Sequence, residues 1–570
     1  MSVSGFARIV FRICAIHIVL LAPHVFALEP ADLIVLNGHV VTLDPALASA
    51  EAVAVRDTRI IAVGTNAQIA ALADNQTEMV DAAGRLVIPG FIEGHGHFLG
   101  LGRALQVLDL TQAESWDDIV GQVAQAADQA VPGEWILGRG WHQDKWQVSP
   151  QPNVDGVPYN DALNQVAPEN PVLLGHASGH ASFANNAALA AAGIGPDTQD
   201  PLGGTIVRRE DGRATGLLRE NAQYFVQRLV PAVDADQMRE QVALAGQVAL
   251  RHGVTSFHDA GSNFATIEFF KDMEAAGELP IRLYVMVRGE TIESMAKHLG
   301  KYFSALEGND FLTVRSIKRQ IDGALGAHGA WLLEPYEDLQ SSAGLMLESI
   351  EEIEKTARLA VQFGYQVNTH AIGTRANRET LDLYERIWDE VEVEGSNLRW
   401  RIEHAQHIHP DDVPRFGKLG VIAAVQGVHC TSDGPWIPTR LGVSRTEATS
   451  YRWRDLIDTG AVINNGTDVP VEHIDPIASF AASVTRVMNT GEAFYPEQGM
   501  SRIEALKSFT INNAYSAFEE SHKGSISVGK LADMVILSDN ILTMPAERIH
   551  EAKVDLTVLG GEVVFVRERD

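Results

Sequence analysis

Residues 88–100 read IPGFIEGHGHFLG, an apolar run and a Pro-Gly pair followed by His95 and His97, one residue apart. In a β-strand, residues i and i+2 point to the same side. The stretch is therefore either a strand ending in two same-facing imidazoles or a loop that holds two histidines. Its surroundings decide between the two.

Upstream, ADLIVLNGHVVTLDPALASAEAVAVRDTRIIAVG (31–64) alternates short β-rich runs with Asn-Gly and Asp-containing turns, the pattern of antiparallel strands. GSISVGKLADMVILSD (524–539) and KVDLTVLGGEVVFVRE (553–568), near the other end, look alike. Two strand-rich ends predict one small β-domain built from both chain termini, over 28–86 and 516–570. The middle, 87–515, differs. PVLLGHAS (171–178), GVTSFHDAG (253–261), IRLYVMVRG (281–289), SIKRQIDG (316–323), YQVNTHAIG (365–373), RWRIEHAQ (399–406), GVIAAVQG (420–427) and AVINNGTD (461–468) are each followed by a turn or polar stretch. Amphipathic segments such as SIEEIEKTARLAVQFG (349–364) lie between several of them. Strands alternating with helices imply an α/β fold with a parallel sheet, and roughly eight such units imply a (β/α)8 TIM-type barrel. The region from about 103 to 250 exceeds what one or two βα units need and reads as an insertion.

Composition narrows the function. A chain of 570 residues, 45% hydrophobic and 21% charged, is an ordinary globular composition with ample material for a large core. The formal net charge of −29 argues against nucleic acid and anionic membrane surfaces as partners. Residues 1–27 carry Arg8 and Arg12, then an apolar stretch, then Val25-Phe26-Ala27, the order of a secretory signal peptide; an uncleaved anchor is the alternative. Cys14 falls in that segment and leaves Cys430 alone, so no internal disulfide is expected. The expectation is a periplasmic or secreted protein without a membrane span after cleavage.

The barrel gives the histidines a place, because catalytic groups of this fold gather at the strand ends. His95 and His97 share one strand end with Lys318, His370, His404 and Asp468 at the ends of later strands. Four histidines, a lysine and an aspartate fit a zinc-type site, for which imidazole and carboxylate are the expected ligands.

This set resembles the amidohydrolase superfamily of metal-dependent hydrolases. The local strings resemble its YtcJ-like branch, the amidohydrolase 3 family: GWHQDKW (140–146), SGHASFANNAAL (178–189), GGTIVRREDGRATGLL (203–218), IDGALGAHGAWL (321–332), THAIGTRAN (369–377), RIEHAQ (401–406) and NGTDVPVEHIDP (465–476). The resemblance implies a metal-bearing barrel with a β-sandwich made from both termini, and one or two divalent ions, zinc being the expected one. It implies that His95 and His97 bind one ion and His370 and His404 a second. Lys318 matches a bridging position that is carboxylated in many relatives. Asp468 matches an aspartate that touches metal and acts as catalytic base. His180 matches a substrate-facing histidine of the branch. Thr374 and Gly427 depart from the family, standing where Asp and Pro are often found.

The expected activity is hydrolysis of a carbon–nitrogen bond, an amide or N-acyl group of a small molecule, by metal-activated water. An ester or lactone hydrolase using the same site is the alternative, and a non-catalytic ligand-binding barrel a further one. A homo-oligomer is left open. Asp322 is expected to orient a loop. His258, His328, His407 and His429 are expected to support the site or lie in solvent, and Trp141 and Trp146 to pack or line the mouth.

Overall fold

The computed structural model describes residues 30–306 and 311–568, so the expected signal peptide lies outside the described residues. The site is carried by an eight-stranded parallel sheet: β1 (Phe91–Gly96), β2 (Val254–Ser262), β3 (Arg282–Val287), β4 (Leu312–Gln320), β5 (Gln366–Ala371), β6 (Arg401–His404), β7 (Ile422–Gln426) and β8 (Ile463–Gly466). Each strand pairs with the next, and β8 returns to β1. Just past their ends, Asp468 N donates to His95 O at 2.8 Å and His97 N to Val469 O at 2.7 Å. The closure explains the glycines of the opening stretch. A Cβ on Gly94 would stand 2.3 Å from Asn464 Oδ1 and 2.4 Å from Asn465 O on β8. Helices such as Phe264–Ala276, Ile292–Tyr302 and Ile350–Phe363 cover the barrel. Each begins at a capping side chain: Asn263, Thr291 and Ser349 accept from the amides three residues on.

Both chain termini build a sandwich, as expected. Leu86–Pro89 pairs in parallel with His39–Asp44 and antiparallel with Met534–Leu537, which welds the N-terminal strands to the C-terminal ones. The resulting six-stranded sheet faces a four-stranded sheet across Leu33, Val35, Val53, Val87, Met534, Ile536 and Val558. Leu86–Pro89 thus belongs to the sandwich, and barrel strands begin at Phe91.

One assignment changes. PVLLGHAS is not a barrel strand. Val172–His176 lies in a six-stranded sheet of the insertion, beside Ile136–Trp141 and Ala181–Ala184. That sheet is covered on both faces. Val172 and Leu174 pack with Trp116, Trp141 and Trp146 on one side, and Leu173 packs with Leu189, Ile206 and Leu218 on the other. A strand buried on both faces is apolar throughout, in an insertion as in a barrel.

Candidate metal centre

The C-terminal ends of the barrel strands bring the expected residues together. A Nδ1 or Nε2 of His95 and of His404 and a carboxylate oxygen of Asp468 lie within 4.8 Å of one another, and all three residues are buried. They come from β1, the end of β6 and the turn after β8. His404 has φ +74° and Asp468 φ +58°. Non-glycine residues held in this region carry strain that the surrounding structure must impose.

The remaining expected ligands border this point. His97 Nε2 stands 3.3 Å from Asp468 Oδ1 and is the most exposed of the set. Lys318 Nζ lies 3.2 Å from His95 Nε2. The His370 ring centroid is 4.3 Å from that of His404, and its Nε2 is 3.5 Å from Asp322 Oδ1. The converging trio therefore combines members that the family resemblance divides between two ions.

Residues behind the trio set its tautomers. His95 Nδ1 bonds to Glu403, whose carboxylate also accepts from Arg401 Nε at 2.7 Å. His404 Nδ1 donates to Gln426 Oε1 at 2.8 Å. Both contacts place the proton on Nδ1 and leave Nε2 a lone pair. Glu93 Oε1 accepts from Thr467 N at 2.6 Å and so holds the turn that carries Asp468. Sequence reasoning missed Glu93 and Gln426, and it weighed Glu403 only as a partner for His404, whereas Glu403 holds His95 and Gln426 holds His404. Alternation along a strand was the available signal for the two glutamates: Glu93 and His95 share a face of β1, as Arg401 and Glu403 do on β6.

Electrostatics keep these groups in ligand form. Burial, aided by the Lys318 charge, lowers His95 to about 4, and burial holds His370 and His404 well below the usual histidine range. Burial alone would raise the Asp468 carboxyl, but the close approach of His97 and the neighbouring His95 and His404 imidazoles hold it well below the usual carboxylate range. Burial lowers the Lys318 amine to about 7.

The donor chemistry fits a divalent cation: two neutral imidazoles and an ionised carboxylate. Asp468 Oδ1 and His370 Nε2 are buried without a hydrogen-bond partner, which is the state expected of atoms meant for an ion. Two cavities reach the centre. One, of about 90 Å³, is lined by His180, His404, His429, Asp433, Trp436 and Asp468. The other, of about 350 Å³, touches His97, Arg103 and Arg139.

Other expectations have settled places. His180 lies on the insertion, 5.5 Å ring to ring from His370. Asp322 accepts from the amides of Trp331, Ile372 and Gly373, an orienting role. Trp141 and Trp146 pack inside the insertion. His258 bonds to Arg401, His328 to Asp338 and His407 to Ser450, while His429 stacks 6.4 Å from His404. Gly427 N donates to Asn465 Oδ1 at 3.0 Å, a bond that a proline at this position could not make.

A (β/α)8 barrel whose strand ends aim buried imidazoles and a carboxylate at one point defines a metal-dependent hydrolase. The comparisons with known proteins agree: the family model described as the amidohydrolase family matches residues 78–565, and the chain belongs to that family. It is 34% identical to Protein LONG AFTER FAR-RED 3 of Arabidopsis thaliana over 94% of this chain and 92% of the relative. It is 28% identical to YtcJ of Bacillus subtilis (86% and 91% covered) and 27% identical to N-substituted formamide deformylase of Arthrobacter pascens (94% and 98%). A crystal structure of an uncharacterized metal-dependent hydrolase from Pyrococcus horikoshii superposes with a TM-score of 0.72 at 26% identity, over 90% of this chain and 99% of that one.

Proposed function

We propose that the protein hydrolyses a carbon–nitrogen bond, an amide or N-acyl group of a small molecule, at a divalent ion, preferably zinc, held by His95, His404 and Asp468. The convergence of these three donors carries the reading. Similarity to a deformylase of N-substituted formamides supports the choice of bond. When bound, a divalent cation supplies Lewis-acid polarisation of a carbonyl and a water acidified towards neutrality.

The chain's own residues do the rest. Asp468 is ionised and able to accept the proton of the attacking water, then hold it for the departing nitrogen. Glu403 and Gln426 keep His95 and His404 in register. Lys318 near neutrality offers an amine lone pair, the form that adds carbon dioxide with loss of a proton to give a carbamate. His97 and His370 then stand ready for a second ion. Residues 1–27 direct export in this reading; N-terminal sequencing of secreted protein is expected to begin near Leu28, and an intact Met1 in a cytoplasmic fraction would refute it.

Metal analysis and a panel of amides, N-formyl compounds, esters and lactones test the function. Zinc-loaded protein is expected to cleave members of the amide or formyl class. His95→Ala and Asp468→Asn are each expected to lose about 10²-fold or more of kcat. Faster turnover of esters would favour the carbon–oxygen alternative, and full activity in metal-free or His95→Ala protein would exclude the site.

A further inference from the structure

Glu220 ends the inserted strand Ala214–Glu220 and is 4% exposed. Its Oε2 accepts from His180 Nδ1 at 2.8 Å, and its backbone N donates to His180 O at 2.9 Å, so one residue holds the histidine twice. Its other oxygen, Oε1, is buried without a hydrogen-bond partner. That oxygen sits in a notch of the loop after β4: a Cβ on Gly323 would stand 2.1 Å from it, and one on Gly329 2.3 Å. Glu220 itself has φ +48° and ψ −126°, a backbone conformation that L side chains rarely adopt.

A purely structural ion pair gains most when both carboxylate oxygens are satisfied on an unstrained backbone. Glu220 has neither. It spends a strained residue and a bare buried oxygen on one contact, and the histidine it holds faces the reacting centre. His180 lines the same cavity as His404 and Asp468. With a carboxylate on Nδ1, the proton resides there and Nε2 is left for the cavity.

We propose that Glu220 is a positioning residue: it fixes the ring orientation and tautomer of His180, so that His180 Nε2 meets the scissile group of the substrate. It acts from the inserted domain and is locked by the glycine notch of the barrel loop, so the hydrolytic site is complete only when insertion and barrel are docked. The proposal rests on the hydrolase reading above and names which insertion residues serve it.

The test uses full-length, metal-loaded enzyme and whichever amide, N-formyl compound, ester or lactone the wild type turns over fastest. Glu220→Gln is expected to lower kcat by about 10- to 100-fold, with KM changed by less than about 2-fold. The double variant Glu220→Gln/His180→Ala is expected to be no slower than His180→Ala alone, because Glu220 acts through the histidine. Glu220→Asp keeps the charge, and partial recovery is expected. A readout independent of turnover is carbethoxylation of His180 with diethyl pyrocarbonate, followed across pH by peptide mapping. His180 also faces Asp322, Asp468, His370 and His176, all retained in the variant. Loss of the carboxylate is expected to lower the labelling midpoint by about one pH unit. Wild-type kcat in Glu220→Gln, independent multiplying losses in the double variant, or an unmoved midpoint would each overturn the proposal. A wild type that hydrolyses nothing in the panel, with the midpoint still shifted, would overturn the hydrolytic reading and leave the Glu220–His180 pairing standing.

Discussion

At the scale of single residues, the centre depends on charges that stand behind its donor atoms. Arg401 and Glu403 are fully buried and paired at 2.7 Å, and Glu403 also holds His95 Nδ1. Burial alone would raise the Glu403 carboxyl, but Arg401 and His95 hold it well below the usual carboxylate range, so it is ionised at every working pH. Glu403→Gln keeps the shape and removes the charge. Two losses are expected together: about 10- to 100-fold in metal affinity or kcat, because His95 loses its orienting partner, and about 3–5 kcal/mol of stability, because Arg401 is left buried and uncompensated. Metal titration and urea unfolding on the same preparation check both. Unchanged metal affinity would show that His95 needs no such support.

At the scale of elements, a buried ion pair helps to clamp the barrel to the sandwich. Arg282 at the start of β3 donates from Nε to Asp533 Oδ2 at 2.8 Å and from Nη2 to Oδ1 at 3.0 Å, and both residues are nearly inaccessible. Burial works to raise the Asp533 carboxyl, yet Arg282 keeps it below its ordinary value. A depressed folded value means that the pair's contribution is complete above the unfolded pKa of about 3.9 and fades as pH falls through the folded one. Asp533→Asn is therefore expected to cost about 3–5 kcal/mol at pH 7, a deficit that shrinks below about pH 4. The kcat of folded enzyme should be unchanged, since the pair sits at the opposite end of the barrel strands from the centre. A deficit independent of pH would refute the role of the charge. The elements also show what a sequence can carry. The ligand-bearing strands were legible because each is a β-rich run with a histidine, lysine or aspartate at or near its end, beside a turn. PVLLGHAS was misread because a sheet covered on both faces is as apolar in an insertion as in a barrel. Glu403 was legible in principle, two residues from Arg401 on one face of β6. Glu220 was not: its histidine is forty residues back and its glycine notch about a hundred residues ahead, and neither distance leaves a periodic trace.

At the scale of the molecule, the three converging donors come from β1, β6 and the turn after β8, so an ion bound there ties the first barrel strand to the end of the last. The inserted sheet supplies none of them, although its His180 overhangs the same cavity. A ligand that binds only the folded state adds stability by mass action, about 4 kcal/mol at a thousandfold excess over Kd. Removing the ion with a chelator is thus expected to lower the melting temperature by several degrees, and zinc in slight excess to restore it. The gain should be local. Hydrogen exchange should slow on zinc addition at the ends of β1, β6 and β8 and in the turn around Asp468, while the amides of Val172–His176 and Ala181–Ala184 exchange as before. Protection spread evenly over insertion and barrel would mean that the ion organises the whole mouth, and an unchanged melting temperature would mean that His95, His404 and Asp468 do not hold it.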